Sequence, residues 1–128
     1  MSQPNPYAQP PGDISASQER TLGAVAHGAP LLAMVLSAGL LGFVGSLVIY
    51  LMYKDRGPFV RAHAANSLNV QIITGIVLLV SLPLMFVLVG FVTYPLALVF
   101  AFVLHLIGAV KANSGQWWDP PLTPRFVR

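Results

Sequence analysis

Residues 62–110 read AHAANSLNVQIITGIVLLVSLPLMFVLVGFVTYPLALVFAFVLHLIGAV, 49 positions between Arg61 and Lys111 without an Asp, Glu, Lys or Arg. A formal charge at mid-depth of a bilayer costs several kcal/mol, so an uncharged stretch of this length suits lipid rather than water. As one straight helix it would measure about 73 Å, against a hydrocarbon core of about 30 Å. It must fold back once, and its Gly, Thr and Pro residues predict the turn at Gly90-Phe91-Val92-Thr93-Tyr94-Pro95.

Working outward, a second block of 33 residues between Arg20 and Lys54 is also free of formal charge. It would be about 50 Å long as a helix, and two glycines predict a turn in Ser37-Ala38-Gly39-Leu40-Leu41-Gly42. The expected architecture is an all-α, polytopic membrane helix bundle of four spans, with helices at about 16–37, 41–54, 58–89 and 94–113 within a membrane domain of residues 15–114. The second helix is short, since the 13 residues from Leu41 to Tyr53 reach only about 20 Å.

The basic residues set the orientation, because positively charged flanks stay on the cytoplasmic side. Four crossings put Arg20, the loop from Lys54 to Arg61, and Lys111, Arg125 and Arg128 on one face, so that all seven basic residues agree. Three crossings would strand Arg20 opposite the central loop. Both termini are therefore expected in the cytoplasm.

With 55% hydrophobic residues, 9% charged residues and a mean hydropathy of +0.71, the chain has little mass to place in water. The net charge of +3 comes from residues flanking the apolar blocks and does not point to nucleic acid. Without cysteine there is no disulfide and no thiolate chemistry. Residues 1–14, rich in Pro and Gln, are expected to form a disordered tail. Ser15 and Gln18 then have capping-box spacing, with Glu19 in the favourable first turn. Asn113-Ser114-Gly115 should stop the last helix, leaving residues 115–128 as a cytoplasmic tail. There Trp117 and Trp118 suit the headgroup zone.

On the third predicted helix His63, Ser67, Gln71 and Thr74 follow i, i+4, i+8 and i+11, with Asn66 beside them, and so form one stripe. Either the stripe is an interhelical hydrogen-bond seam, or it walls a cavity open to the cytoplasm. On the fourth helix Ala97, Ala101, His105, Gly108 and Ala112 share a face of small residues around one histidine. Gly23, Ala26, His27, Pro30 and Ser37 make a comparable face on the first, so those two helices are expected to approach closely. His27 and His105 lie at similar depth and would meet there. Such a pair can be a packing contact, a proton-relay site or the axial ligands of a haem. Neither block contains an acid, and no catalytic set, phosphate loop or metal motif appears. The chain is expected not to be an enzyme and to hold no resident cofactor.

The central segment, Lys54-Asp55-Arg56-Gly57-Pro58-Phe59-Val60-Arg61-Ala62-His63-Ala64-Ala65-Asn66-Ser67-Leu68-Asn69-Val70-Gln71, resembles the signature of a bacterial family of small membrane proteins related to the twenty-kilodalton Tic protein of the chloroplast inner-envelope translocon. His27 and Val110-Lys111-Ala112-Asn113-Ser114-Gly115 extend the likeness, while Val70 stands where that family often has Phe. The resemblance implies four spans, a location in the bacterial plasma membrane and a part in protein translocation. From the residues themselves, Lys54, Arg56 and Arg61 form a cationic collar suited to anionic headgroups. The function expected is that of a Tic-like, non-enzymatic membrane protein, either an accessory subunit of a larger membrane assembly or a translocation-related component. Its partners would be the lipid bilayer and other membrane subunits or further copies of itself. The alternative is a haem-binding or proton-handling electron-transfer subunit built on His27 and His105.

Overall fold

The computed structural model describes residues 14–128. Four α-helices follow in order: α1 (Ala16–Ser37), α2 (Gly42–Tyr53), α3 (Pro58–Leu84) and α4 (Gly90–Asn113), with a 3-10 turn, Met85–Val87, between the last two. No strand occurs among the described residues. The tail expected over residues 1–14 lies, Ile14 apart, outside them.

Local chemistry fixes the helix ends. The Ser15 side chain accepts from the Gln18 backbone N–H (3.1 Å) and the Gln18 amide oxygen accepts from the Ser15 N–H (2.8 Å), a capping box that starts α1. The helix closes where Ala38 and Gly39 both take positive φ, 54° and 94°, a conformation that glycine adopts without steric cost. Pro58 opens α3, where its missing N–H matters least. The next two amides, of Phe59 and Val60, donate to Glu19 Oε1 at 2.9 and 3.1 Å. One helix thus carries the cap of another.

The turn expected at residues 90–95 lies earlier, and α3 stops at Leu84 instead of running to about 89. Pro83 withdraws an N–H from the last turn of α3, and the chain tightens into the 3-10 turn. Leu88, at φ 69°, donates its N–H to the Met85 carbonyl at 3.1 Å and reverses the chain. Pro95 is not a turn residue but lies inside α4.

The helices form an antiparallel bundle in which α3 packs against each of the others and α1 against α2, α3 and α4. Glu19, the start of α3 and the chain just after α4 share one end, as the Glu19 bonds to α3 and a bond from His63 to the Gln116 carbonyl show. At the other end the Tyr94 hydroxyl donates to the Ala38 carbonyl (2.6 Å), joining the α1–α2 turn to α4.

Polarity is distributed the reverse of a water-soluble protein. Buried positions include His27, His63, His105, Asn66, Asn69, Gln71 and four hydroxyl residues, while large apolar side chains such as Leu36, Leu79 and Phe86 point outward. Residues 58–87 and α4 are each long and apolar enough to cross a membrane, and only 28% of the most apolar stretch of each is buried. A soluble core helix of that composition would be mostly covered.

Candidate functional site

The interior is organised around a proline. Pro30, buried within α1, has no N–H to offer the carbonyl of Ala26 one turn earlier. Ser67 of α3 donates its hydroxyl to that carbonyl instead. Its single proton being used there, Ser67 Oγ accepts from Ser46 Oγ–H of α2 at 2.7 Å. A helix defect on α1 thereby fixes α2 and α3 around it.

Beside this linkage three imidazoles join end to end. His63 Nε2 lies 2.9 Å from the Gln116 carbonyl oxygen, His63 Nδ1 is 3.3 Å from His27 Nε2, and His27 Nδ1 is 3.3 Å from His105 Nδ1. His105 Nε2 then meets the Gln71 amide nitrogen at 2.6 Å, and the same nitrogen reaches Met34 Sδ at 3.2 Å. None of the three histidines is more than 1% exposed. Gly108 makes the arrangement possible, since a Cβ there would come within 2.4 to 2.6 Å of three His27 ring atoms. Edge-on contacts of the His27 ring with His63 and with Trp118 complete its surroundings.

The stripe of α3 is buried throughout. Asn66 donates to the Trp118 carbonyl, and Asn69 exchanges two hydrogen bonds with the backbone of Val127 (2.8 and 2.7 Å). Residues after α4 therefore lie back across the bundle base and supply carbonyls to the stripe. Thr74 differs from its neighbours: its hydroxyl is buried without a hydrogen-bond partner, and it borders a cavity of about 260 Å³ between α3 and α4, lined also by Ile73, Val77, Thr93 and Leu96. Ala97, Ala101, Gly108 and Ala112 are buried with His105 on α4, as are Gly23, Ala26 and Pro30 with His27 on α1.

The proposed collar and interface residues sit at the same end. Arg61 pairs with Asp55 at 3.8 Å and donates from Nε to the Arg128 carbonyl at 3.3 Å. Lys54 Nζ stands 5.9 Å above the Tyr50 ring, and Arg56 lies in the α2–α3 turn. Trp117 packs edge-on against Phe59, and both tryptophans are half-buried.

Direct contact between the His27 and His105 nitrogens closes the space that a haem between them would need, so the residues do not fit that group. Among the described residues no group of three or more His, Asp or Glu side chains is arranged to hold a metal ion. Sequence reading missed Met34, Ser46, Asn69 and Gln116. The signal for Ser46 and Ser67 was Pro30, which leaves the Ala26 carbonyl in need of a donor; Gln116 acts through its backbone and leaves no sequence signal.

Fold and interior together define a class: a small helical bundle with an apolar exterior and a hydrogen-bonded polar core. Within that class the chain belongs to the magnetosome magnetite crystal formation protein family (MamF/MmsF), which it matches over residues 18–127. This corrects the expected Tic-like membership and the translocation role drawn from it, since the two families are different. The residues behind that likeness have structural work here: Gly57-Pro58 starts a helix, and the buried His63, Asn66 and Gln71 side chains each hold a hydrogen-bond partner. No curated protein and no solved structure matches the chain.

Proposed function

We propose that this chain is a non-catalytic, multi-pass protein of the magnetosome membrane that serves magnetite crystal formation as an accessory subunit. The observation carrying the membrane part is the inverted polarity: exposed Leu, Val and Phe along α3 and α4 surround a core of histidine, amide and hydroxyl groups. The family's description supplies the process and the compartment. The plasma membrane, read from the sequence, is the alternative compartment, and membrane fractionation separates the two.

In this reading the bundle crosses four times, with the short α2 reaching part of the depth, and both termini face the cytoplasm. The distribution of the seven basic residues supports that orientation. Lys54, Arg56 and Arg61 then lie near anionic headgroups. A non-catalytic role is favoured because the buried polar groups are largely committed to one another. Apolar helix faces left outward suit other membrane subunits or further copies of the chain as partners.

The test is deletion of the gene in the magnetite-forming cell, with crystals sized by electron microscopy. Loss or shrinkage of crystals, reversed by the intact gene, is the expected result. Unchanged crystals would remove the role in crystal formation, and recovery of the protein in the soluble fraction would remove the membrane reading.

A further inference from the structure

The hydrogen-bond chain through the three histidines has one consistent direction. At one end the Gln116 carbonyl can only accept, so His63 Nε2 carries a proton and His63 Nδ1, in the neutral ring, accepts. His27 Nε2 must then donate to it, which makes His27 Nδ1 an acceptor and obliges His105 Nδ1 to donate. His105 Nε2 is left as an acceptor. The other end agrees independently: the Gln71 amide nitrogen, a donor only, faces that atom. Turning the Gln71 amide over would set its oxygen against a lone pair, or else force two acceptors together between His27 and His105. Every ring nitrogen is used, and every N–H points from Gln71 towards Gln116.

From this geometry we infer that His105, His27 and His63 form a directional proton wire leading from the Gln71 level of the bundle to the end where Gln116 lies. A hydronium ion reaching His105 when the Gln71 amide swings aside loses a proton to Nε2. His105 breaks its Nδ1–H bond as His27 Nδ1–H forms, and His27 breaks Nε2–H as His63 Nδ1–H forms. His63 then releases its Nε2 proton to water at the Gln116 end. One proton has crossed the three rings, each of which is neutral again in its other tautomer; the first tautomer returns when a ring gives its new N–H proton to a water and takes one back at its other nitrogen.

The placement suits transport. Gln71 is 8 residues beyond His63 on α3, about 12 Å along the axis, so the wire covers about two-fifths of a hydrocarbon core of about 30 Å. Beyond it, towards the α1–α2 turn, Gln71 lies against Gly42 at the start of α2. Among the described residues no Asp, Glu, Lys or Arg is buried to trap a proton along the way. The nearest charges are at the exit: Glu19 and Arg20 on α1, Arg61 on α3 and Lys111 on α4, with none on α2. The inference rests on the membrane reading above. It also gives that reading a chemical purpose, since hydrolysis of dissolved iron to an oxide releases protons.

Two measurements test it on the full chain in lipid vesicles. Nitrogen-15 spectra of histidine-labelled protein should find the proton on Nε2 in His27 and His63 and on Nδ1 in His105. An Nε2–H tautomer at His105 overturns the wire. With a pH-sensitive dye inside the vesicles and an imposed pH gradient, proton flux should exceed that of protein-free vesicles several-fold. It should fall to their level in His27→Gln, which keeps hydrogen bonding but cannot relay a proton, and in His63→Gln, each checked for retained helicity. Inserted wild-type protein with no excess flux, or a helical His27→Gln variant that conducts equally, overturns the proposal. A chain that carbonate strips from the vesicles overturns the membrane reading with it, a result distinguishable from inserted protein that does not conduct.

Discussion

At the scale of single residues, Gln71 and Thr74 lie one turn apart on α3 and are expected to respond oppositely to losing their polar atoms. Gln71→Leu removes the donor to His105 Nε2 and leaves a buried acceptor unpaired, which should cost about 1–3 kcal/mol. Thr74→Val removes a hydroxyl that has no partner, keeps the shape of the side chain, and should be neutral or stabilising by about 1 kcal/mol. Unfolding of both variants in mixed micelles measures the difference. Equal destabilisation would show that Thr74 Oγ1 is satisfied in the bilayer. The stripe that carries both residues was legible as a period of helical turns. Which members have partners was not, because the partners come from α1, α2, α4 and the chain beyond Asn113.

For the elements, the decisive contacts are those in which one helix completes another. α3 begins with no side-chain cap of its own at Gly57, and Glu19 of α1 takes the Phe59 and Val60 amides in its place. Removing that carboxylate should uncap α3 and cost about 1–2 kcal/mol, the usual worth of an N-cap. The expected outcome for Glu19→Ala is a lower unfolding midpoint and faster amide exchange at residues 59 and 60; unaltered exchange there would show that the cap contributes nothing. The sequence places Glu19 favourably for the dipole of its own helix. That it serves α3 as well follows from the packing of α1 against α3, which no local pattern encodes.

On the scale of the molecule, the described bundle puts the start of α1, the α2–α3 turn and the end of α4 together, with the α1–α2 and α3–α4 turns at the far end. If the bundle sits in a bilayer as proposed, single cysteines at Gln18, Asp55 and Ser114 should react with a membrane-impermeant thiol reagent from one side. One at Phe86, 93% exposed in the 3-10 turn, should react from the other. The chain has no cysteine, so each label is unambiguous. Labelling of Gln18 and Ser114 from opposite faces would exclude the four-crossing topology.

What the sequence determined by itself is which segments are uncharged and apolar, and the period of each helix. Two uncharged blocks, glycines between apolar runs and a capping box are local facts, and they suffice to specify helices and their approximate ends. They failed at residues 84–90, where Pro83 and the reversal at Leu88 outweighed the Gly and Pro signals further on. They also failed in the family drawn from the central segment, because Gly-Pro helix starts and buried amides serve packing in more than one kind of bundle. Small-residue faces around His27 and His105 marked α1 and α4 as close neighbours, and the two rings are in contact. The third ring, the amide at one end and the carbonyl at the other were decided only in three dimensions. A hydrogen-bond chain exists when rotation and depth of separate helices coincide to within a few tenths of an ångström, and that coincidence is set by how closely residues such as Gly108 let the helices approach.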